Sequence, residues 1–556
     1  MTSGGADAVI VRNDAVYGRP SLIIHNARIY TGAAEGDVVD ALAVAGDRIA
    51  AVGRAVDVLA LATNSSAVVD LGGRTVLPGL IDSHNHLLEV GIKAAAIRLD
   101  ECRSPAEMAA LVRQRAAVTP PGRWIVGMGW NEANFPCQQL PTVADIDAAT
   151  YRHPVLLMRF FNTDLVNTVA LRQAGITSGT PHPPGGRIEH DAKGEPNGLL
   201  RATAKTLVRQ LVPALTTSEL RAALRLGYRE TLCLGITSVI EPGLYPDELR
   251  AYQESYRHGE LDVRVNLMPN WHGFRDNESP AQLDARAAEL GVGTGLGDEW
   301  LRLGALKMAV DGGTTPRNAY MYEPFEGDEQ LKPFLRLPLE DLRGYLERAQ
   351  ELGWDVGIHC CGDRAQDVAV EAIVEAVTAR PRLDARHSII HAYFPSDTAI
   401  RAMATHRIAA VIQPTFLYWE GNQIFRDVGE GRAGNYKPIR RYLDAGVPVA
   451  ASSDVTSTIT ADPFVAMYAL VTRLNCEGIA VAPGEAISRW EALQAYTTAG
   501  AWLTHEEELK GTLTLGKLAD FIVLDRDVFA VPVEAIRETK VLATVVGGRL
   551  VHGSLS

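Results

Sequence analysis

The chain has 556 residues, 47% hydrophobic and 22% charged, the proportions of a globular protein with enough apolar material for a large core. Its formal net charge of -13 disfavours a surface for nucleic acid or an anionic membrane, so neither is expected as a partner. No basic-then-apolar leader opens the sequence, and no run approaches the roughly 18 apolar residues of a membrane span. Cys102, Cys137, Cys233, Cys360, Cys361 and Cys476 form no CxxC pair and read as reduced thiols, so a cytoplasmic location is expected.

From Ser21 the runs SLIIHNARIYTG, ALAVAGDRIAAVG and SAVVDLGGRTVLPG are short β-branched stretches broken by Gly and Asp turns, a pattern of antiparallel strands. GTLTLGKLADFIVLD and VLATVVGGRLVHG repeat the style at the C-terminus. Two such stubs can pair, so residues 1–78 and 505–556 are expected to form one composite β-sandwich, with His25 and His552 as surface or packing residues. The run VLPGLIDSHNH then carries two histidines out of an apolar stretch. Strand side chains alternate, so His84 and His86 share a face with Cα atoms roughly 7 Å apart, a span two imidazoles can close onto one divalent ion.

Ser104-Pro105-Ala106-Glu107 has a serine N-cap, proline at the first helical position and glutamate at the third, and opens the helix MAALVRQRAAV. From there to about Pro213, strands (RWIVGMGW, HPVLLMRFF), helices and a Gly/Pro-rich hairpin (PPGGRIEHDAKGEPNG) alternate. This is too long for a loop and is expected to be an inserted α+β segment at about 98–215, covering the mouth of the core. Its rings Trp124, Trp130, Phe160 and Phe161 either line a pocket or pack the segment's own interior.

From about Ser218, helix and strand patterns alternate: SELRAALRLGYRETLCLG then ITSVIEP, LEDLRGYLERAQELG then WDVGIHCCGD, AQDVAVEAIVEAVT then HSIIHAY, KPIRRYLDAG then VPVAASSD. So many units imply a closed parallel (β/α)₈ barrel over residues 79–504, interrupted by the insertion. Active sites of such barrels lie at the C-terminal strand ends, where Glu241, Lys307, Asp311, His359, His391, Gln413 and Asp454 fall.

Histidines at strand ends recur at 84, 86, 359 and 391, and Asp454 closes the series; a barrel gathers these positions around one axis. Imidazoles with a carboxylate suit Zn²⁺ or another divalent transition metal, one or two ions, better than Mg²⁺ or Ca²⁺. His387 lies about 13 Å along the strand from His391, too far to share an ion with it. Lys307, inside the apolar run GALKMAV, needs an anionic partner such as Asp311 or Glu241, or a lowered pKa; its neutral amine could also react with carbon dioxide to give a bridging carbamate.

The motifs PGLIDSHNH, GALK, VGIHCCGDRA, RHSIIHA, VIQPTF, ASSDVTS and KGTLTLGKLADFIVLDRD resemble the amidohydrolase superfamily, specifically the amidohydrolase family 3 branch that includes N-substituted formamide deformylases. The resemblance implies a metal-dependent hydrolase. His84 and His86 would hold one metal, His359 and His391 the second, Lys307 would bridge as a carboxylysine, and Asp454 would bind metal and act as general base and acid. Asn162 stands where many members have histidine, and Glu241 near a position that is often Asp; both differences bear on the substrate. Arg364, His387 and Gln413 are candidates to position substrate, although each is also a candidate for a supporting role. Trp130, Phe161, Trp271, Phe416, Tyr418 and Trp419 suggest an aromatic wall, the last three on a loop overhanging the metals. The expected reaction is hydrolysis of an amide-type C–N bond on a small, partly apolar molecule, with an N-substituted formamide foremost. A deaminase or cyclic-amide hydrolase would use the same ligands. A homodimer is one assembly state open to the chain.

Overall fold

The β-branched runs at the two chain ends are too short to bury an apolar face separately, and they do so jointly. The computed structural model describes residues 18–131, 134–135, 140–159, 163–272, 291–327, 335–458 and 460–555. Its N-terminal strands are β1 (Leu22–Tyr30), β2 (Val38–Ala45), β3 (Arg48–Gly53), β4 (Ala67–Asp70) and β5 (Thr75–Pro78), and one residue later β6 (Leu80–Asp82) enters the barrel. The chain forms two compact units, Met1–Leu87 with Tyr228–Ser556, and Leu88–Gly227.

The second unit carries β7 (Ile97–Arg98), β8 (Ile125–Trp130), β9 (Val155–Arg159), β10 (Thr163–Val166), β11 (Gly186–His190) and β12 (Pro196–Ala202) in the sheet order β11-β12-β10-β9-β8-β7. Helix Pro105–Val118 begins as the sequence predicts, with Ser104 Oγ accepting the Glu107 N–H at 3.2 Å. Trp130 corrects the pocket-wall expectation. Its ring is fully buried among Leu99, Val112 and Leu157, and its indole N–H donates to the Leu157 carbonyl at 2.9 Å, so it packs this unit's interior. Phe160, Phe161 and Asn162 lie outside the described residues.

The first unit resumes with β13 (Ile236–Leu244), β14 (Arg264–His272), β15 (Leu301–Leu303), β16 (Leu306–Ala309), β17 (Val356–Cys360), β18 (Ser388–His391), β19 (Ala409–Ile412) and β20 (Val449–Ala451). The strands β6, β13, β14, β16, β17, β18, β19 and β20 run parallel in that order, with β15 paired beside β14, and form the eight-stranded barrel. Every residue of β16 through β20 is buried, as strands covered on both faces require. Backbone bonds from Ser83 N–H to Ala451 O (3.2 Å) and from Asp454 N–H to His84 O (2.8 Å) bring the first strand's end against the last. The loop expected after Gln413 is instead the helix Pro414–Ala433. Proline at its first position, where no backbone N–H is needed, starts it.

The last strands, β21 (Phe521–Leu524), β22 (Val541–Val546) and β23 (Arg549–Gly553), complete the composite sandwich: β21 pairs antiparallel with β5, from Phe521 opposite Pro78 to Leu524 opposite Thr75. The interior includes Ile24, Ile29, Leu42, Val76, Phe521 and Val545. Among the described residues no helix is long and apolar enough to cross a membrane.

Barrel and sandwich are joined by a buried charge pair. Arg264, at the start of β14, donates from Nε and Nη2 to the Asp520 carboxylate at 2.7 and 3.0 Å, and its guanidinium stacks 4.4 Å from the Trp300 ring. The same carboxylate accepts the Gly547 N–H at 2.7 Å. Removing one partner would leave a buried guanidinium without its anion, so Asp520→Ala is expected to destabilise the chain by about 3–5 kcal/mol. Denaturant titration should show a lower midpoint at unchanged slope.

Candidate metal centre

The site begins with a carboxylate that holds no ligand position. Asp82 closes β6 with no exposed surface; its Oδ1 accepts the backbone N–H of Ser453 (2.9 Å) and of His84 (3.3 Å). Oδ2 accepts from Ser453 Oγ (2.6 Å) and Asn85 Nδ2 (2.9 Å). Burial pushes its pKa up to about 6 against the pull of these bonds. The effect is to pin the segment after β6 to the segment after β20.

His84 and His86 therefore meet Asp454. The Asp454 Oδ1 lies 3.5 Å from His84 Nε2 and 3.2 Å from His86 Nε2, and the imidazole centroids are 5.3 Å apart. One donor atom from each of the three falls within 4.8 Å of the others. Both histidines lie just beyond β6 rather than on it, and Asp454 has left-handed backbone (φ 54°), which turns its side chain inward from the end of β20.

A second donor set lies beside the first. The rings of His359, on β17, and His391, ending β18, are 4.3 Å apart at 77°, and the His391 ring is 6.0 Å from that of His84. Neighbours fix both tautomers. Gln413 Nε2 donates to Ser452 Oγ (3.1 Å) and Val411 O (3.3 Å), which turns Oε1 toward His391; that oxygen accepts the Nδ1–H at 2.8 Å and leaves the lone pair on Nε2. His359 Nε2–H donates to the Gly312 carbonyl at 2.9 Å, leaving the lone pair on Nδ1. Burial, reinforced by the Lys307 charge, pushes His359 down to about 3 and keeps His84 and His391 well below the usual histidine range. Neutral imidazoles are the ligating form.

Lys307 sits within β16 with its pKa pushed down to about 8 by burial, an effect that Asp454 opposes. The carboxylates that could have paired with it are engaged elsewhere. Asp311 accepts backbone N–H groups of Cys361 (3.0 Å), Gly362 (2.8 Å) and Tyr320 (2.9 Å), tying the loops after β16 and β17 together, and Glu241 accepts the Tyr252 hydroxyl at 3.0 Å.

The remaining candidates divide. Gln413 has no exposed surface and orients His391, so its contact is with a ligand candidate rather than with substrate. His387 precedes β18, at the opposite end of that strand from His391, and its Nδ1 accepts the Val356 N–H at 3.1 Å; it is a structural residue and does not face the site. Arg364 is exposed, stacked 4.7 Å from Tyr320 and 5.6 Å from Tyr322. Phe416 is buried on the helix after β19. Sequence reasoning missed Asp82, although it stands within the DSHNH run, and Cys361, whose Sγ lies 3.6 Å from His359 Nε2 and which shares a donor cluster with His359 and His391.

The donor chemistry fits a divalent transition metal: imidazoles, a carboxylate and a thiol converge, and the buried His84 Nδ1 has no hydrogen-bond partner among the described residues. The fold and this site define a metal-dependent hydrolase, and the chain belongs to the amidohydrolase family, whose model it matches over residues 67–552. It acts on carbon–nitrogen bonds. It is 28% identical to the N-substituted formamide deformylase of Arthrobacter pascens over 541 residues, covering 95% of this chain and 98% of that protein. It is 29% identical to Protein LONG AFTER FAR-RED 3 of Arabidopsis thaliana over 549 residues, 96% of this chain and 91% of that one. A crystal structure of an uncharacterized metal-dependent hydrolase from Pyrococcus furiosus matches with a TM-score of 0.75 at 27% identity, covering 91% of this chain and 99% of the other.

Because Gln413 sets the His391 tautomer, Gln413→Leu is expected to weaken metal binding by about 10- to 100-fold without displacing the strand. Competition against a chelating dye measures this; unchanged affinity would mean that His391 needs no such orientation.

Proposed function

We propose that the chain holds one or two zinc ions, or a neighbouring divalent transition metal, through His84, His86, His359, His391, Asp454 and a carboxylated Lys307. With them it hydrolyses an amide-type C–N bond of a small, partly apolar molecule, an N-substituted formamide being the first candidate. The observation that carries this reading is Asp454 Oδ1 lying 3.2 and 3.5 Å from two imidazoles at the end of a barrel strand. The resemblance to the Arthrobacter pascens deformylase across nearly the whole of both chains supports the substrate class. A divalent ion in such a site supplies water acidified toward neutrality and a polarised carbonyl.

The protein's own groups do the rest. Asp454 takes a proton from the attacking water and delivers it to the departing nitrogen, a transfer that amides demand because an amide anion leaves poorly. Lys307, with its basicity lowered by burial, adds carbon dioxide through its neutral amine, forming an N–C bond, releasing one proton and becoming a carbamate anion. Phe416 offers an apolar surface for the substituent. The buried thiols Cys102, Cys360 and Cys361 suit a reducing cytoplasm.

The test is a product screen with metal-loaded protein on N-benzylformamide-type compounds, acyl amino acids, cyclic ureas and aminopurines, with products identified by mass. The expected result is amine plus acid from an amide, and a loss of at least about a hundredfold in turnover for Asp454→Asn with substrate binding retained. Ammonia from an aminopurine, with no amide turnover, would replace this reading with a deaminase.

A further inference from the structure

The inserted unit holds a cavity that the proposed hydrolysis does not use. It measures about 600 Å³, the size of a site for a small organic molecule, and all of its lining belongs to the Leu88–Gly227 unit. Strand alternation makes its floor. On β8 and β9 the side chains of Ile125, Val155 and Leu157 join the core that holds Trp130, so Trp124, Val126, Met128, Leu156 and Met158 face the other way, into the cavity. All of these but Leu156 are only half-buried. Ile92 on the helix Leu87–Ala95 and Leu226 on the helix Thr217–Leu232 add apolar walls, and residues 212–215 complete the lining.

Charged side chains interrupt this lining at Arg115, Arg123, Arg209 and Glu219, and all but one have their partners. Arg123 Nη2 donates to Glu219 Oε1 at 2.7 Å, while Glu219 Oε2 accepts the N–H and the hydroxyl of Thr216, both at 2.8 Å. Arg209 donates from Nε and Nη2 to the Asp164 carboxylate at 2.7 and 2.8 Å. Arg115 differs. Its Nη1 donates to the Ala95 carbonyl at 2.9 Å, one of the acceptors that the last turn of a helix leaves unpaired, and among the described residues its guanidinium has no carboxylate partner. A guanidinium stays protonated at any physiological pH, and that single bond leaves most of its N–H donors unused. The cavity therefore combines an apolar floor with one uncompensated positive charge in its lining.

We infer that this cavity is a second binding site, sharing no residue with the metal centre, for a small monocarboxylate with an apolar body, such as an aryl-alkyl acid. The body lies on the β8 and β9 floor, where its burial also removes the half-exposed Val126, Met128 and Met158 from water. The carboxylate takes the N–H donors of Arg115 that the Ala95 carbonyl leaves unused, a planar fork that matches two oxygens. A neutral apolar molecule would fit the floor but desolvate the guanidinium without giving it a partner. A multiply charged anion would meet Glu219 and Asp164 as like charges.

The test measures binding rather than turnover. Calorimetric titration of the metal-loaded chain with 4-phenylbutanoate and with 4-phenylbutan-1-ol compares the carboxylate with a neutral compound of like shape. Val126→Trp fills the cavity from its floor, whereas Arg115→Gln removes the charge and keeps a donor for the Ala95 carbonyl. The metal's own affinity for carboxylates is common to all three proteins, so the differences between them isolate the cavity. The natural chain is expected to bind the carboxylate more tightly than the alcohol. Arg115→Gln should weaken the carboxylate alone, by about ten- to a hundredfold, the range for a hydrogen bond to a charged group. Val126→Trp should weaken both compounds by at least about tenfold, since the apolar body loses its place. Ala222→Trp and Arg115→Met serve if either first choice does not fold. Carboxylate binding that survives the filled cavity, a natural chain that binds neither compound, or a preference that Arg115→Gln leaves intact overturns the assignment.

Discussion

The Asp82 carboxylate is the constraint on which the centre depends. A barrel of parallel strands leaves the ends of its first and last strands to be joined by whatever follows them, and here four hydrogen bonds converge on one fully buried side chain from Ser453, His84 and Asn85. Without that junction the segment carrying His84 and His86 and the segment carrying Asp454 would be separate loops whose relative placement is set only by packing. A buried carboxylate without its partners costs several kcal/mol, so the junction forms completely or the strand ends part. Asp311 repeats the device between β16 and β17, where it gathers three backbone amides around the end that presents His359. Two buried carboxylates that touch no substrate candidate thus set the spacing of both donor groups.

Much of this was legible in the sequence because it follows from periodicity. Helix and strand patterns alternating after Ser218 give a parallel barrel, and histidines at strand ends in a barrel must approach one another whatever their separation along the chain. The pairing of the two chain ends followed from their shared composition, and β21 lies against β5 accordingly. Side-chain direction was legible only where a strand fixed it. His387 and His391 fall in one HSIIH run, but a strand of that length carries them to opposite ends of the barrel, as their spacing implies, and only His391 reaches the donor groups.

Other residues depend on contacts that no local pattern encodes. Trp130 is an aromatic beside a strand end, which fits a pocket wall and an interior packing position equally; the Leu157 carbonyl that receives its indole N–H decides for the interior. Gln413 reads as a polar residue at a strand end, and its function as the acceptor for His391 is visible only once β18 and β19 are adjacent. The helix after Gln413 carried its signal in Pro414, a residue suited to a first helical turn, although the aromatic run behind it reads as a loop.

The centre's candidate donors lie at or just beyond strand ends, where the barrel fixes their spacing, and the contacts that orient them come from buried groups on neighbouring strands and loops. The central claim is that donors just beyond β6 and β20 and on β17 and β18 hold the metal. Anomalous diffraction at the zinc edge from crystals of the zinc-loaded chain tests it most directly. The account predicts density at about 2.0–2.2 Å from the His84 and His86 nitrogens and an Asp454 oxygen, or from those of His359 and His391, or both. Zinc bound elsewhere, with those five side chains in none of its coordination shells, would contradict it.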